Sequence, residues 1–287
     1  MRSDFLAREV HSVDQFLQLS REVRASEPIA TQIIGGAAAA VAKGTSSYER
    51  CTWWVIESDG KVVGLAMHTE PFNLFLSPMP LEASLALAKL IVAEHPGFPG
   101  VNGPSEVVKP FLSKCAELST KLRKYELHQE HLTYSLIELI SPLNSVGEVR
   151  LATPEDKTLV LQWFTAFAHE ADVENHNLEA VVDRATATER LYLWSVDGVI
   201  VSMAGHTASV EIPGGTLARI GPVYTPPEYR KHGYASFLVA EISRRLHARG
   251  VSVMLYADAK NPASNNVYIK IGFSLVGSNT IWNISWK

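Results

Sequence analysis

The sequence predicts an α/β chain of the α+β kind, folded as two tandem units, each with a mixed central β-sheet flanked by helices. Three observations lead there: a repeated hairpin pattern, helical patterns before and after each copy, and a turn-rich seam near mid-chain. The first copy is "ESDGKVVGLAMHT" at 57–69 and the second "SVDGVIVSMAGHT" at 195–207. Asp59/Asp197, Gly60/Gly198, Ala66/Ala204, His68/His206 and Thr69/Thr207 keep one spacing without a gap. Asp-Gly between apolar runs signals a two-residue hairpin, because both central positions of a type I′ turn need positive φ. The runs before the turns, "TWWVIE" and "RLYLWSV", are rich in the aromatic and β-branched residues that suit strands.

Helical patterns precede the hairpins ("VDQFLQLSREV" and "PEDKTLVLQWFTAFAHEA") and follow them (81–94 and 234–249). The run "IIGGAAAAVAKG" at 33–44 reads as a close-packed helix or a loop, and "LEASLALAKLIVA" at 81–93 as a helix with a buried face. The turn-rich "ISPLNSVGEV" at 140–149 marks the seam, so the expected domains are 1–145 and 146–287.

Composition bounds the function. A chain of 287 residues suits two domains. A net charge of −4 offers no broad basic field, so no nucleic-acid partner is expected. Two cysteines, Cys51 and Cys115, form neither a disulfide framework nor metal-ligand spacing, and no metal is expected. Their use fits a reducing cytoplasm. The N-terminus lacks a continuous apolar segment, and the run at 81–93 carries Glu82 and Lys89 and is too short to span a bilayer, so no membrane partner is expected. The sequence gives no reading of oligomeric state.

The two copies diverge after their hairpins. The second continues "RIGPVYTPPEYRKHGYASFLVAEISRRLHARG", the first "LFLSPMPLEASLALAKLIVAEHPG". In the second, "TLARIGPVY" reads as a strand interrupted by Gly221 and Pro222; proline cannot donate to a ladder and glycine often marks a bulge. A strand that stops pairing there splays from its neighbour. After an extended loop, Ala235, Leu238, Val239, Ile242 and Leu246 fall on one helical face. Arg244, Arg245 and Arg249 suit the C-terminal end, and Gly250 follows as a stop.

The stretch Arg230-Lys231-His232-Gly233-Tyr234-Ala235-Ser236 therefore stands at a helix N-terminus, which presents unpaired N–H groups and partial positive charge. Gly233 lets an anion approach the backbone, Ala235 is small, and Arg230 and Lys231 add attraction. The spacing alone also suits an ordinary helix start. No Gly-Lys-Ser/Thr follows, so it is not a P-loop. Next, "VSVMLYADA" at 251–259 reads as a buried strand. Asn261 then caps a short helix with Pro262 at its first position, Gly272 ends it, and Ser264 and Tyr268 share a face.

Arg230-x-x-Gly233-x-Ala235 resembles the Q/R-x-x-G-x-G/A signature of the GNAT superfamily of acyl-CoA-dependent N-acetyltransferases. "NPASNNVYIKIGF" at 261–273 resembles that family's later block, N-x-x-A/S-x-x-x-Y-x-K-x-G-F, and the order of elements agrees. The resemblance covers 148–287. The first half lacks the signature and reads as a degenerate copy.

The resemblance implies acetyl-CoA as co-substrate and an amine as acceptor. Backbone N–H groups from Lys231 to Ser236 would hold the pyrophosphate. Val223 and Tyr224 would pair with the pantetheine arm, and the Val223 N–H would face the thioester oxygen. Asn261 and Asn265 would make contacts at the helix start, and Tyr268 would donate a hydrogen bond to the departing sulfur. Glu228, Glu211, His206, His169, Asp172 and Glu174 are candidates for a general base, and none is singled out; His206 has a twin at His68, which favours a structural role. A noncatalytic CoA-binding module, a bare scaffold and an acyltransferase using a longer acyl-CoA are the alternatives.

Overall fold

The computed structural model describes residues 4–46, 48–94, 97–143, 146–173 and 177–287. The chain forms two compact units. Unit 1 is Met1–His131 with Ile212–Gly214 and Ser278–Lys287; unit 2 is Leu132–Glu211 with Gly215–Gly277.

In chain order the elements are β1 (Phe5–Glu9), α1 (Val13–Leu19), α2 (Arg21–Ser26), α3 (Gln32–Ala42), β2 (Cys51–Ser58), β3 (Lys61–Thr69), β4 (Leu74–Leu76), α4 (Leu81–Glu94), β5 (Gly100–Gly103), α5 (Ser105–Leu118) and β6 (Leu122–Leu136). There follow β7 (Glu148–Leu151), α6 (Lys157–Glu170), α7 (Leu178–Ala187), β8 (Leu191–Val196), β9 (Val199–His206), β10 (Val210–Ile212), β11 (Gly215–Tyr224), α8 (Tyr234–His247), β12 (Val251–Asp258), α9 (Pro262–Lys270) and β13 (Phe273–Trp286). The small-residue run at 33–44 is a helix, α3. The pattern at 13–23 divides into α1 and α2 at Ser20, whose N–H bonds back to Phe16 O while its hydroxyl receives Arg24 Nε.

In unit 1 the strands run in the order β1-β2-β3-β4-β5. Successive residues of β2 point to opposite faces. Trp53 and Val55 join Phe16 and Ile34 beneath the first helices, while Trp54 and Ile56 join Leu87, Ile91, Phe111 and Leu112 beneath α4 and α5. A strand covered on both faces reads as a continuous apolar run, which is why "TWWVI" has no polar alternation.

Unit 2 repeats the plan with β7-β8-β9-β11-β12. Leu193, Met203 and Tyr224 face Val160, Phe164 and Val182 of α6 and α7. Trp194, Ala204 and Leu255 face Leu238, Ile242 and Leu246 of α8. The hairpins correspond in detail: φ is 50° at both Asp59 and Asp197, and 75° and 79° at Gly60 and Gly198. Each hairpin also carries a register shift at the matching step, Ile56/Glu57 and Trp194/Ser195.

The units do not divide at 145/146, where the sequence placed the boundary: Leu132 onward goes with unit 2, and Ser278–Lys287 with unit 1. There the last strand runs antiparallel to β5, from Thr280↔Gly103 to Asn283↔Gly100. Trp282, Ile284 and Trp286 alternate along it, so they share one face, and that face packs into the α4/α5 core of unit 1. Trp286 Nε1 also donates to Phe98 O at 2.7 Å.

The entry to α6 is fixed by a carboxylate. Asp156, nearly buried, receives both Arg150 guanidinium nitrogens at 2.7 Å and the Thr153 N–H at 2.7 Å. The Arg150 hydrogen bonds, chiefly, hold its pKa at about 2 against the cost of burial. An unfolded aspartate titrates near ~3.9. The carboxylate therefore adds stability above about pH 4 and loses that contribution as pH falls toward about 2. Asp156→Asn should cost about 1–3 kcal/mol at neutral pH. Urea titrations at several pH values should show the gap from wild type narrowing below about pH 4.

Candidate functional site

The site begins where β11 leaves its parallel neighbour. β11 pairs with β12 from Thr216↔Val251 to Ile220↔Leu255, and the ladder ends there. On its other side β11 continues with β9 through a shift: Ile220 faces His206, Val223 faces Ala204 and Tyr224 faces Met203. The extra residue sits at Gly221-Pro222, as a bulge requires. Val223 and Tyr224 thus stay in the sheet on the β9 side and, among the described residues, have no ladder partner on the β12 side.

The chain then makes a short 3₁₀ turn at Pro227–Tyr229 and enters α8 through Gly233. Lys231 and Gly233 adopt left-handed conformations, with φ of 69° and 82°. A Cβ at Gly233 would stand 3.3 Å from the Phe237 ring as well as in a conformation that side chains resist. Arg230 N bonds Pro227 O, and Phe237 N is next to find an acceptor, Gly233 O at 3.1 Å. Among the described residues, the N–H groups of Lys231, His232, Gly233, Tyr234, Ala235 and Ser236 make no hydrogen bond. They begin a 14-residue helix with no side-chain cap. Unpaired amides in sequence at the positive end of a helix form an anion site. The Lys231 and His232 side chains are exposed, and His232 stacks on Tyr234 with centroids 5.4 Å apart.

After β12 comes α9, which packs against β12 and α8. Asn261 caps it, with its side-chain oxygen receiving Ser264 N at 3.0 Å. Asn265 is buried; its Nδ2 donates to Asp258 O at 3.0 Å, and its Oδ1 is buried without a partner. An unmet acceptor of that kind is costly unless a ligand supplies the donor. The Tyr268 ring packs against Tyr134 and Phe273, at 6.3 Å and 6.1 Å. Burial pushes its phenol pKa up, opposed by a hydrogen bond with the Ser264 side chain, so the hydroxyl keeps its proton at neutral pH. Val223, Tyr234 and Tyr268 join one apolar cluster.

Tyr224 turns to the opposite face, where its ring meets Trp163 at 6.1 Å. Arg230 follows it there. Its Nη2 donates to both carboxylate oxygens of Glu170, at 2.7 Å and 2.9 Å, so its charge is engaged within the protein rather than left free at the turn. Sequence reading missed Glu170, which stands 60 residues from Arg230 and in no motif.

The base candidates are not gathered. His206 lies before the bulge, stacked on Tyr192; its Nδ1–H donates to Thr207 O at 2.8 Å, and burial lowers its pKa. Glu211 and Glu228 are exposed on separate segments, His169 and Asp172 are exposed together at the end of α6, and Glu174 lies outside the described residues. Among the described residues no group of three or more His, Cys, Asp or Glu could hold a metal ion.

Unit 1 has no matching turn. Between β4 and α4 stands Ser77-Pro78-Met79-Pro80. Ser77 is buried, bonded to Leu65 through its N–H and its hydroxyl oxygen. Met79 presses on Gly64, where an added Cβ would come within 2.7 Å of the Met79 Cβ. Met79 thus packs in the β4–α4 connection, the segment where unit 2 has its glycine-bearing turn.

Residues 206–283, from the end of β9 through most of β13, match the family model described as FR47-like protein. No curated protein matches the chain significantly. Solved structures match nearly all of it at low identity. A GCN5-related N-acetyltransferase from Sphaerobacter thermophilus is 16% identical over 98% of this chain and 95% of its own, with a TM-score of 0.63. A GNAT-family acetyltransferase from Colwellia psychrerythraea is 13% identical over 98% and 99%, at 0.60. A tandem GNAT protein from the clavulanic acid biosynthesis pathway is 12% identical over 99% and 98%, at 0.58. The chain carries the GNAT fold twice in tandem, and most of the FR47-like segment lies in unit 2.

Proposed function

We propose that unit 2 is an acyl-CoA-dependent N-acetyltransferase that passes an acetyl group from acetyl-CoA to a primary amine. The run of unpaired N–H groups from Lys231 to Ser236, following a strand parted from its parallel neighbour, carries this reading. The amides and the α8 dipole would hold the pyrophosphate. The pantetheine arm would lie along Val223 and Tyr224 as an added strand does, with Asn265 Oδ1 positioned by its burial to accept an amide proton.

In the reaction a neutral amine attacks the thioester carbon. The C–N bond forms, the carbonyl oxygen gains charge beside the Val223 N–H, the C–S bond breaks, and the amine's proton leaves to water. A thiol titrates near ~8.5 and a phenol near ~10, so the thiolate is an adequate leaving group and Tyr268 need only donate a hydrogen bond and, late, a proton. Burial raises its pKa and keeps the phenol protonated, as a hydrogen-bond donor must be. Neither Cys51 nor Cys115 is needed, and burial holds the Cys115 thiol at about 12, away from thiolate chemistry.

Calorimetry should find one CoA site per chain, and a thiol-release assay against a panel of amines should find turnover. Two equivalent sites would contradict the assignment to unit 2, and CoA binding without turnover would leave a binding module.

Gly233→Glu should abolish CoA binding in a folded protein and, because φ is positive, lower stability by about 1–2 kcal/mol. An unchanged KM for acetyl-CoA in that variant would rule out the amide cradle.

Tyr268→Phe keeps the ring and removes the donor. The KM for acetyl-CoA should hold while kcat falls about ten- to a hundredfold, as when an interaction made in the transition state is lost. Wild-type kcat, with chemistry rate-limiting, would return Tyr268 to a packing role.

A further inference from the structure

Glu170 ends α6, outside every sequence motif, yet it holds the root of the turn. Its carboxylate receives Arg230 Nη2 through both oxygens and lies 3.4 Å from the Tyr224 hydroxyl. Arg230 in turn donates its Nε–H to Thr225 O at 2.8 Å, and its guanidinium stands 5.8 Å from the centre of the Tyr224 ring. The Ser202 hydroxyl, fully buried, donates to Tyr224 O at 3.1 Å, which leaves the Thr225 hydroxyl to donate to Ser202 Oγ at 2.9 Å. These contacts run from β9, through the residues leaving β11, to the residue just before Lys231. A carboxylate on α6 thereby fixes where the chain begins its unpaired amides.

We propose that Glu170 is a positioning residue for acyl-CoA binding: by holding Arg230, it orients the turn whose N–H groups receive the pyrophosphate. This rests on the acyl-CoA reading and adds a residue that touches no substrate. It also changes the role of Arg230. A guanidinium committed to Glu170 and Thr225 O shapes the turn, rather than serving as a direct ligand of the phosphates. The two roles predict opposite signs. If Arg230 binds phosphate directly, neutralising Glu170 frees the cation and tightens CoA binding. If Glu170 and Arg230 form a clamp, neutralising Glu170 loosens the turn and weakens binding. Partly exposed ion pairs are individually weak, so the effect should be small but measurable.

The test is calorimetry with CoA on wild type, Glu170→Gln, Arg230→Ala and the double variant, with steady-state kinetics on each. Each single variant should raise the Kd for CoA and the KM for acetyl-CoA about three- to fivefold, with kcat within about twofold. The double variant should bind no more weakly than either single one, because both remove the same clamp. Unchanged or tighter CoA binding in Glu170→Gln, or additive losses in the double variant, would overturn the clamp while leaving the acyl-CoA reading intact. Wild type that fails to bind CoA would overturn the acyl-CoA reading, and the clamp with it.

Discussion

Pro222 has no N–H to give, and the site in unit 2 depends on that lack. With Gly221 it puts an extra residue into β11 and ends the ladder to β12 at Ile220↔Leu255. Were the parallel ladder to continue, the main-chain groups that Val223 and Tyr224 turn toward β12 would be satisfied by that strand and unavailable to anything else. The break leaves one side of two residues without a backbone partner. The pairing with β9 keeps those residues in the sheet.

The turn after the strand applies the same principle to a helix. Every helix leaves its first amides unpaired, and a side-chain cap can offset them. Asn261 does so for α9 and Asn177 for α7. Gly233 cannot, and the left-handed residues before α8 extend the unpaired run back to Lys231. Leaving such groups bare costs stability and is understandable where an anion completes them. Unit 1 shows the contrast: with the same hairpin and the same register shift within it, it buries Ser77 and packs Met79 between β4 and α4. The two units share the hairpin framework and differ at this turn.

Much of this was legible in the sequence, because it rests on residues whose backbone preferences are local. Asp59-Gly60 and Asp197-Gly198 set the hairpins, Gly221-Pro222 the bulge, Gly233 the bare helix start and Asn261 the cap. The long-range pairings were not legible. Arg230 reads as a free cation beside a helix N-terminus, and only the fold shows that α6 brings Glu170 against it. The apolar alternation of Trp282, Ile284 and Trp286 is visible in the chain, but nothing local says which core takes it, and it completes unit 1. Tyr268 stands between the two cases: its motif marks it, while its burial against Tyr134 comes from tertiary packing.

The central claim is that the backbone N–H groups of one turn receive the anionic part of an acyl-CoA. Amide hydrogen exchange with and without CoA reads those groups directly. The account predicts that CoA slows exchange at 231–236 and at Val223, and leaves 77–84 of unit 1 unchanged. Equal slowing at 77–84, or none at 231–236 under saturating CoA, would contradict it.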